Sequence, residues 1–157
     1  MKVRLALIIC VLCAGAASAC EGLFIVISPN GVLVVNVDPP VVPRQPNMSD
    51  GCSASSPASA AFQLVIREPG EDLSLRSITF RFADGTTPGS RPVMFSAAEI
   101  TRMFGSSVVM AGAARRLGFS VPYDCSLPRP TRMFVHVDAA TRSGRAIESE
   151  AAASIQE

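Results

Sequence analysis

Apolar residues recur at every second position through five stretches of this chain. Phe62, Leu64 and Ile66 alternate with Gln63, Val65 and Arg67, and Ile78, Phe80 and Phe82 alternate with Ser77, Thr79 and Arg81. Leu117, Phe119, Val121, Tyr123 and Cys125 form a third series, and Met133, Val135 and Val137 a fourth. Ile147, Ser149, Ala151, Ala153 and Ile155 form a fifth, opposite Glu148 and Glu150. A strand places successive side chains on opposite faces, so such a series buries one face and wets the other. A helix would scatter the same residues around its surface. Short strands of this kind, separated by turn residues, predict an all-β fold in which two antiparallel sheets pack as a sandwich.

One segment breaks the period. Ser96-Ala97-Ala98-Glu99 has the spacing of a capping box, with Phe95 and Ile100 placed as a hydrophobic staple. Ile100, Met103 and Phe104 share a helical face, and Gly105 suits the position after the last turn. A helix of about two turns over 96–104 is therefore expected, bridging the two sheets. Glu68-Pro69-Gly70-Glu71-Asp72 and the run Asp84 to Gly89 read as turns, and Ala139 to Gly144 as the loop of a final hairpin.

Ahead of these strands, Gly22 to Val37 reads as strand, turn and strand, with Ser28-Pro29-Asn30-Gly31 as the turn. Asp38 to Ala58 holds Pro39, Pro40, Pro43, Pro46 and Pro57 and no hydrophobic period, so it is expected as an extended linker or an irregular crossover. The organisation read from the sequence is a leader over 1–19, N-terminal strands and linker over 20–58, and a sandwich over 59–157. At 157 residues the chain is long enough for one core.

Lys2 and Arg4, then the apolar run from Leu5 to Cys13, then Ala14-Gly15-Ala16-Ala17-Ser18-Ala19 have the three-part layout of a secretory signal peptide. The apolar run is too short to span a bilayer, which takes about 20 residues. The cut before Cys20 can be read in two ways. Ala17-Ser18-Ala19 is an A-x-A site for ordinary signal peptidase. Ser18-Ala19-Cys20 also resembles the lipobox of bacterial lipoproteins, which has Leu where this chain has Ala17. The resemblance implies that Cys20 carries a diacylglycerol on its thiol and an acyl group on its amine, anchoring the chain to a membrane.

Cysteine parity bears on that choice. Cys10 and Cys13 lie in the leader, which leaves Cys20, Cys52 and Cys125. Lipidation of Cys20 leaves one pair for an oxidising compartment, Cys52 with Cys125. Without it, one thiol is left over. The loop closed by a Cys52–Cys125 bridge would contribute about 4 kcal/mol by the chain-entropy argument. Loss of the leader also changes the charge balance. Its only charges are Lys2 and Arg4, so 14 basic residues fall to 12 against 13 acidic, and a net of +1 becomes −1.

Tyr123-Asp124-Cys125, followed by a final hairpin strand, is similar to the Tyr-x-Cys of the penultimate strand of immunoglobulin-type domains. This resemblance covers about Ser59 to Gln156 and implies an Ig-like sandwich. Pro122 is expected to interrupt its strand's ladder.

The residues offer little chemistry. A near-neutral charge balance excludes a strongly basic nucleic-acid binder. His136 is the only histidine, which removes metal sites that need two, and it lies opposite Met133, Val135 and Val137 with no nucleophile elbow in the sequence. The scattered methionines read as core filling, and single acids beside Asp84-Gly85 or Asp138 are too few for a calcium loop. The acid pairs Glu71-Asp72 and Glu148/Glu150 read as turn and solvated-face residues, and Arg115-Arg116 as a fence at a strand start. No catalytic, cofactor or metal residues are therefore expected.

The function expected is a non-catalytic binding or structural module, exported and tethered through Cys20 to the outer or cytoplasmic membrane. It would meet an envelope or extracellular protein partner through loops at one end or an exposed sheet edge. The alternative is a periplasmic or secreted enzyme or small-ligand carrier with a pocket between sheet and helix.

Overall fold

The structure is a computed structural model that describes residues 33–45, 58–68, 70–84, 87–88, 91–123 and 131–156. Cys20, Cys52 and Cys125, the leader, the expected strand and turn over 22–31, and most of the Asp84–Gly89 turn lie outside the described residues.

The strands are β1 (Val34–Asp38), β2 (Val41–Gln45), β3 (Ala58–Arg67), β4 (Leu73–Asp84), β5 (Thr87–Pro88), β6 (Val93–Ser96), β7 (Val108–Val109), β8 (Ala114–Tyr123), β9 (Arg132–Thr141) and β10 (Ala146–Gln156), with helix α1 (Ala97–Phe104) between β6 and β7. One layer runs β1–β3–β8, both pairings antiparallel. The other runs β2–β10–β9–β4, with β5, β6 and β7 each paired along the far edge of β4. Antiparallel β4–β9–β10 in one layer against β3–β8 in the other is the connectivity of an Ig-like β-sandwich.

The alternating series lie where the period put them. Phe62, Leu64 and Ile66 of β3 and Leu117, Phe119, Val121 and Tyr123 of β8 face inward from one layer. Ile78, Phe80 and Phe82 of β4, Met133, Val135 and Val137 of β9, and Ile147, Ala151 and Ala153 of β10 face them from the other. The layers meet ring on ring: Phe62 and Phe80 centroids are 5.4 Å apart, Phe80 and Phe119 5.0 Å, and Phe82 and Tyr123 5.0 Å. Such offset and edge contacts add roughly 0.5–1.5 kcal/mol each beyond area burial. Ser149 sits on this buried face and its hydroxyl donates to the Leu33 carbonyl at 3.0 Å, which satisfies the one polar group of its series.

Helix α1 closes the side of the sandwich between β4 and β8. Its capping box is complete: the Glu99 amide donates to Ser96 Oγ at 3.4 Å, and the Ser96 amide donates to Glu99 Oε2 at 2.8 Å. Gly105 ends it with φ 77°, a left-handed conformation natural to glycine. Ile100 is buried beneath it. Phe95 and Phe104 stand 5.2 Å from Phe119 of the opposite layer, so phenyl rings fill the space between helix and sheets.

Two expectations about local structure are corrected. The proline-rich segment after Asp38 is not wholly irregular, because it contains β2. There Val41, Val42 and Pro43 run parallel to Ser154, Ile155 and Gln156, and Arg44 and Gln45 then pair with β3. The first part of the chain thus crosses from one layer to the other. Pro122 does not break β8, whose register continues from Ala114 opposite Arg67 to Tyr123 opposite Ala58.

Candidate functional site

Three surfaces gather functional side chains. The first is the end of the sandwich where the β3–β4, β7–β8 and β9–β10 connections meet. Here the carboxylates are held by internal partners. Glu68 is buried, and its carboxylate accepts the amides of Gly70 and of Glu71, the latter at 2.7 Å. Its own carbonyl accepts the Gly112 amide at 2.8 Å. Asp72 Oδ1 accepts the Ala111 amide at 2.9 Å, and the Asp72 carbonyl accepts the Arg142 amide at 3.1 Å. Arg145 pairs with Glu71 at 3.0 Å. Glu71 and Asp72 therefore splice three loops together. Gly144 turns the last of these loops with φ 87°.

The second surface is the outer face of β3 and β8. Small residues Ala61, Gly118 and Ser120 floor an open depression of about 650 Å³, rimmed by Asp38, Pro39 and Gln63. Arg116 stands beside it, donating to Asp38 Oδ2 at 3.2 Å and Gln63 Oε1 at 3.4 Å. Its neighbour Arg115 reaches the other way. Its guanidinium donates to the carbonyls of Val108, of Ser106 at 2.5 Å and of Phe104 at 3.4 Å. It caps the end of α1 and ties β8 to the β7 region. The sequence pair Arg115-Arg116 is thus more than a fence at a strand start, and nothing in the residue order marks which carbonyls Arg115 would hold.

The third surface is the outer face of β10–β9–β4–β6, where cross-strand pairing lines residues up in rows. Glu150, His136, Thr79 and Met94 form one row. Ala152, Phe134 and Arg81 form the next, and Ser154, Arg132 and Ala83 the one beyond. On the other side lie Glu148, Asp138 and Ser77. His136 Nδ1 stands 3.4 Å from Glu150 Oε1. Thr79, His136 and Glu150 follow the order of hydroxyl, base and orienting acid, but among the described residues no hydrogen bond joins Thr79 to His136. Phe134 is 38% exposed and Met94 61%. Every other phenylalanine among the described residues lies in or against the core.

Among the described residues, no group of three or more metal-ligating side chains converges. No helix among them is long and apolar enough to cross a membrane. The Glu99 carboxyl is held below its usual value by the Ser96 amide, then by the Ser96 hydroxyl, with a smaller effect of Arg102. That displacement belongs to the helix cap and not to a reactive site.

No protein-family model and no curated protein matches the chain. Among solved structures it is similar to the X-ray structure of Northeast Structural Genomics Consortium target SoR45, with a TM-score of 0.53 and 12% identity over 76% of this chain and 81% of that one. A likeness at this identity speaks to the fold alone.

Proposed function

We propose that this protein is an exported, lipid-anchored module of the bacterial envelope, held to the outer or cytoplasmic membrane through Cys20, that offers an Ig-like sandwich to protein partners without catalysing a reaction. The observation that carries the reading is the order of the chain. A charged start, an apolar run and Ser18-Ala19-Cys20 stand ahead of the strands that build the sandwich. Two acyl chains or more give stable anchoring, since each buried CH2 contributes about 0.8 kcal/mol.

A Cys52–Cys125 bridge belongs to the same reading. Support comes from the strand ends. The chain leaves β2 at Gln45, opposite Ser59, and β8 ends at Tyr123, opposite Ala58. Cys125 follows Tyr123 by two positions, and Cys52 precedes Ala58 by six. Both segments therefore start from one corner of the same layer.

Intact mass of the protein from the membrane fraction tests the anchor. The expected product begins at Cys20 and carries a diacylglyceryl group with or without an N-acyl chain. An unmodified Cys20 on a soluble protein would overturn the reading in favour of a periplasmic or secreted one. Non-reducing peptide mapping should recover Cys52 joined to Cys125, and a bridge that includes Cys20 would overturn the pairing.

A further inference from the structure

The outer face of β10–β9–β4–β6 carries separated charges around an exposed aromatic ring. Asp138, Glu148 and Glu150 lie toward one end of β9 and β10, and Arg81 and Arg132 toward the other. Phe134 sits between the two groups, next to Arg81 in register and two positions from Arg132. Among the described residues, Arg81, Arg132, Asp138 and Glu148 make no ion pair within the chain. The floor between them is low, made of Ala152, Thr79 and Ser77, with Ala83 buried at the basic end. A dipolar face with a hydrophobic centre is complementary to its own image turned through a half rotation.

We propose that this face is an interface on which a second copy of this chain docks, about a two-fold axis that lies across the strands between Phe134 and His136. The axis follows from the charges. It sets β9 of one copy antiparallel to β9 of the other. Arg132 then lies over Asp138 and beside Glu148 of the second copy, and the same contact recurs on the far side of the axis. Phe134 lies on the imidazole of the second copy's His136. Arg81 meets Thr79 and Met94 instead of its own counterpart. The bulge between Leu75 and Ser77 also brings Arg76 to the acidic end, one strand over on β4, where the rotation sets it over Ala83 and beside the second copy's Arg132, a like-charge contact that keeps the association weak.

The area fits a modest, reversible dimer. Three strands of some nine residues and the four residues of β6, at about 3.3 Å per residue and 4.8 Å between strands, give a footprint of roughly 500 Å² on each copy. The two together only reach the ~1,000 Å² at which specific interfaces begin, as expected of a weak, reversible contact. Charge pairs at its rim set orientation and partner choice, and the ring at its centre supplies most of the attachment.

The proposal does not depend on lipidation, so the test uses the whole mature chain with Cys20→Ser, which removes both the acyl group and the odd thiol. Sedimentation equilibrium should show a concentration-dependent species of twice the chain mass in the micromolar range, with no covalent dimer on a non-reducing gel. Phe134→Glu should weaken it by about tenfold or more. Arg132→Asp should weaken it by a smaller factor, and adding Asp138→Arg to Arg132→Asp should restore most of the loss. Thermal melts of the variants should stay within a few degrees of the parent, which separates docking from folding. A chain that stays monomeric throughout the range, a dimer indifferent to Phe134→Glu, or a double reversal no tighter than Arg132→Asp alone would each overturn the proposal.

Discussion

The loop end and the outer face of β9 hold similar charged residues and use them in opposite ways. At the loop end, Glu68, Glu71 and Asp72 are bound to amides and to Arg145 of neighbouring connections. On the face, Asp138, Glu148, Arg81 and Arg132 lie on rigid strands with no partner among the described residues. Position explains the difference. A loop has amides that no ladder satisfies, so a nearby carboxylate is drawn into closing it. A strand's amides are already paired with its neighbours, and its outward side chains are left to the solvent or to another molecule. Loops are the usual place to look for binding residues. Here the loop carboxylates hold the scaffold together, while Asp138, Glu148, Arg81 and Arg132 on the sheet make no ion pair among the described residues.

The largest test of that contrast compares two phenylalanines. Phe119 touches Phe62, Phe80, Phe95 and Phe104, so Phe119→Ala should cost about 3–5 kcal/mol in urea unfolding. Phe134→Ala should cost less than about 1 kcal/mol, because the ring is already partly in water. Equal losses would mean that Phe134 belongs to the core after all. Next in size is a pair of acids. Glu68→Ala strands the amides of Gly70 and Glu71 and should cost about 1–3 kcal/mol. Asp138→Ala on the open face should change stability by no more than about 0.5 kcal/mol.

A loss between those of the two regions is expected at the helix cap, which belongs to neither and so calibrates both. Ser96→Ala should cost about 1 kcal/mol. Glu99 adds a pH signature. Its carboxyl is depressed below its ordinary 4.5 by the Ser96 amide and hydroxyl. The charged form is thus favoured by folding, and its contribution is present above the ordinary value and fades as pH falls through the depressed one. The stability gap between parent and Glu99→Gln should therefore be seen at neutral pH and close in acid. A gap that widened in acid would contradict the cap geometry.

Much of the architecture could be read from the residue order, because a period of two needs no knowledge of neighbours. It placed the inward faces of β3, β4, β8, β9 and β10, and the capping box placed α1. Strand β2 escaped because it is short, contains Pro43 and takes its support from β10, far along the chain. The role of Arg115 escaped for a related reason, since its carbonyl partners come from the helix end and from β7. The candidate face was half legible. Alternation alone turns Phe134, His136 and Asp138 outward together. Only the register with β4 and β10 shows that Arg81 joins Phe134 and that Glu148 joins Asp138.

The crossing of β2 between layers has a mechanical meaning. From Leu33 the chain runs through β1 and β2 toward one end, and β10 runs in the same direction to finish beside β2. A membrane tether at the front of the chain and a load on its last strand would therefore pull these parallel neighbours in opposite directions along their length. Bonds between strands pulled in this way are stressed together and slide, whereas bonds at the end of a hairpin open one after another. A protein held at its N-terminus by a lipid and gripped through its final sheet would meet traction at a seam built to bear it.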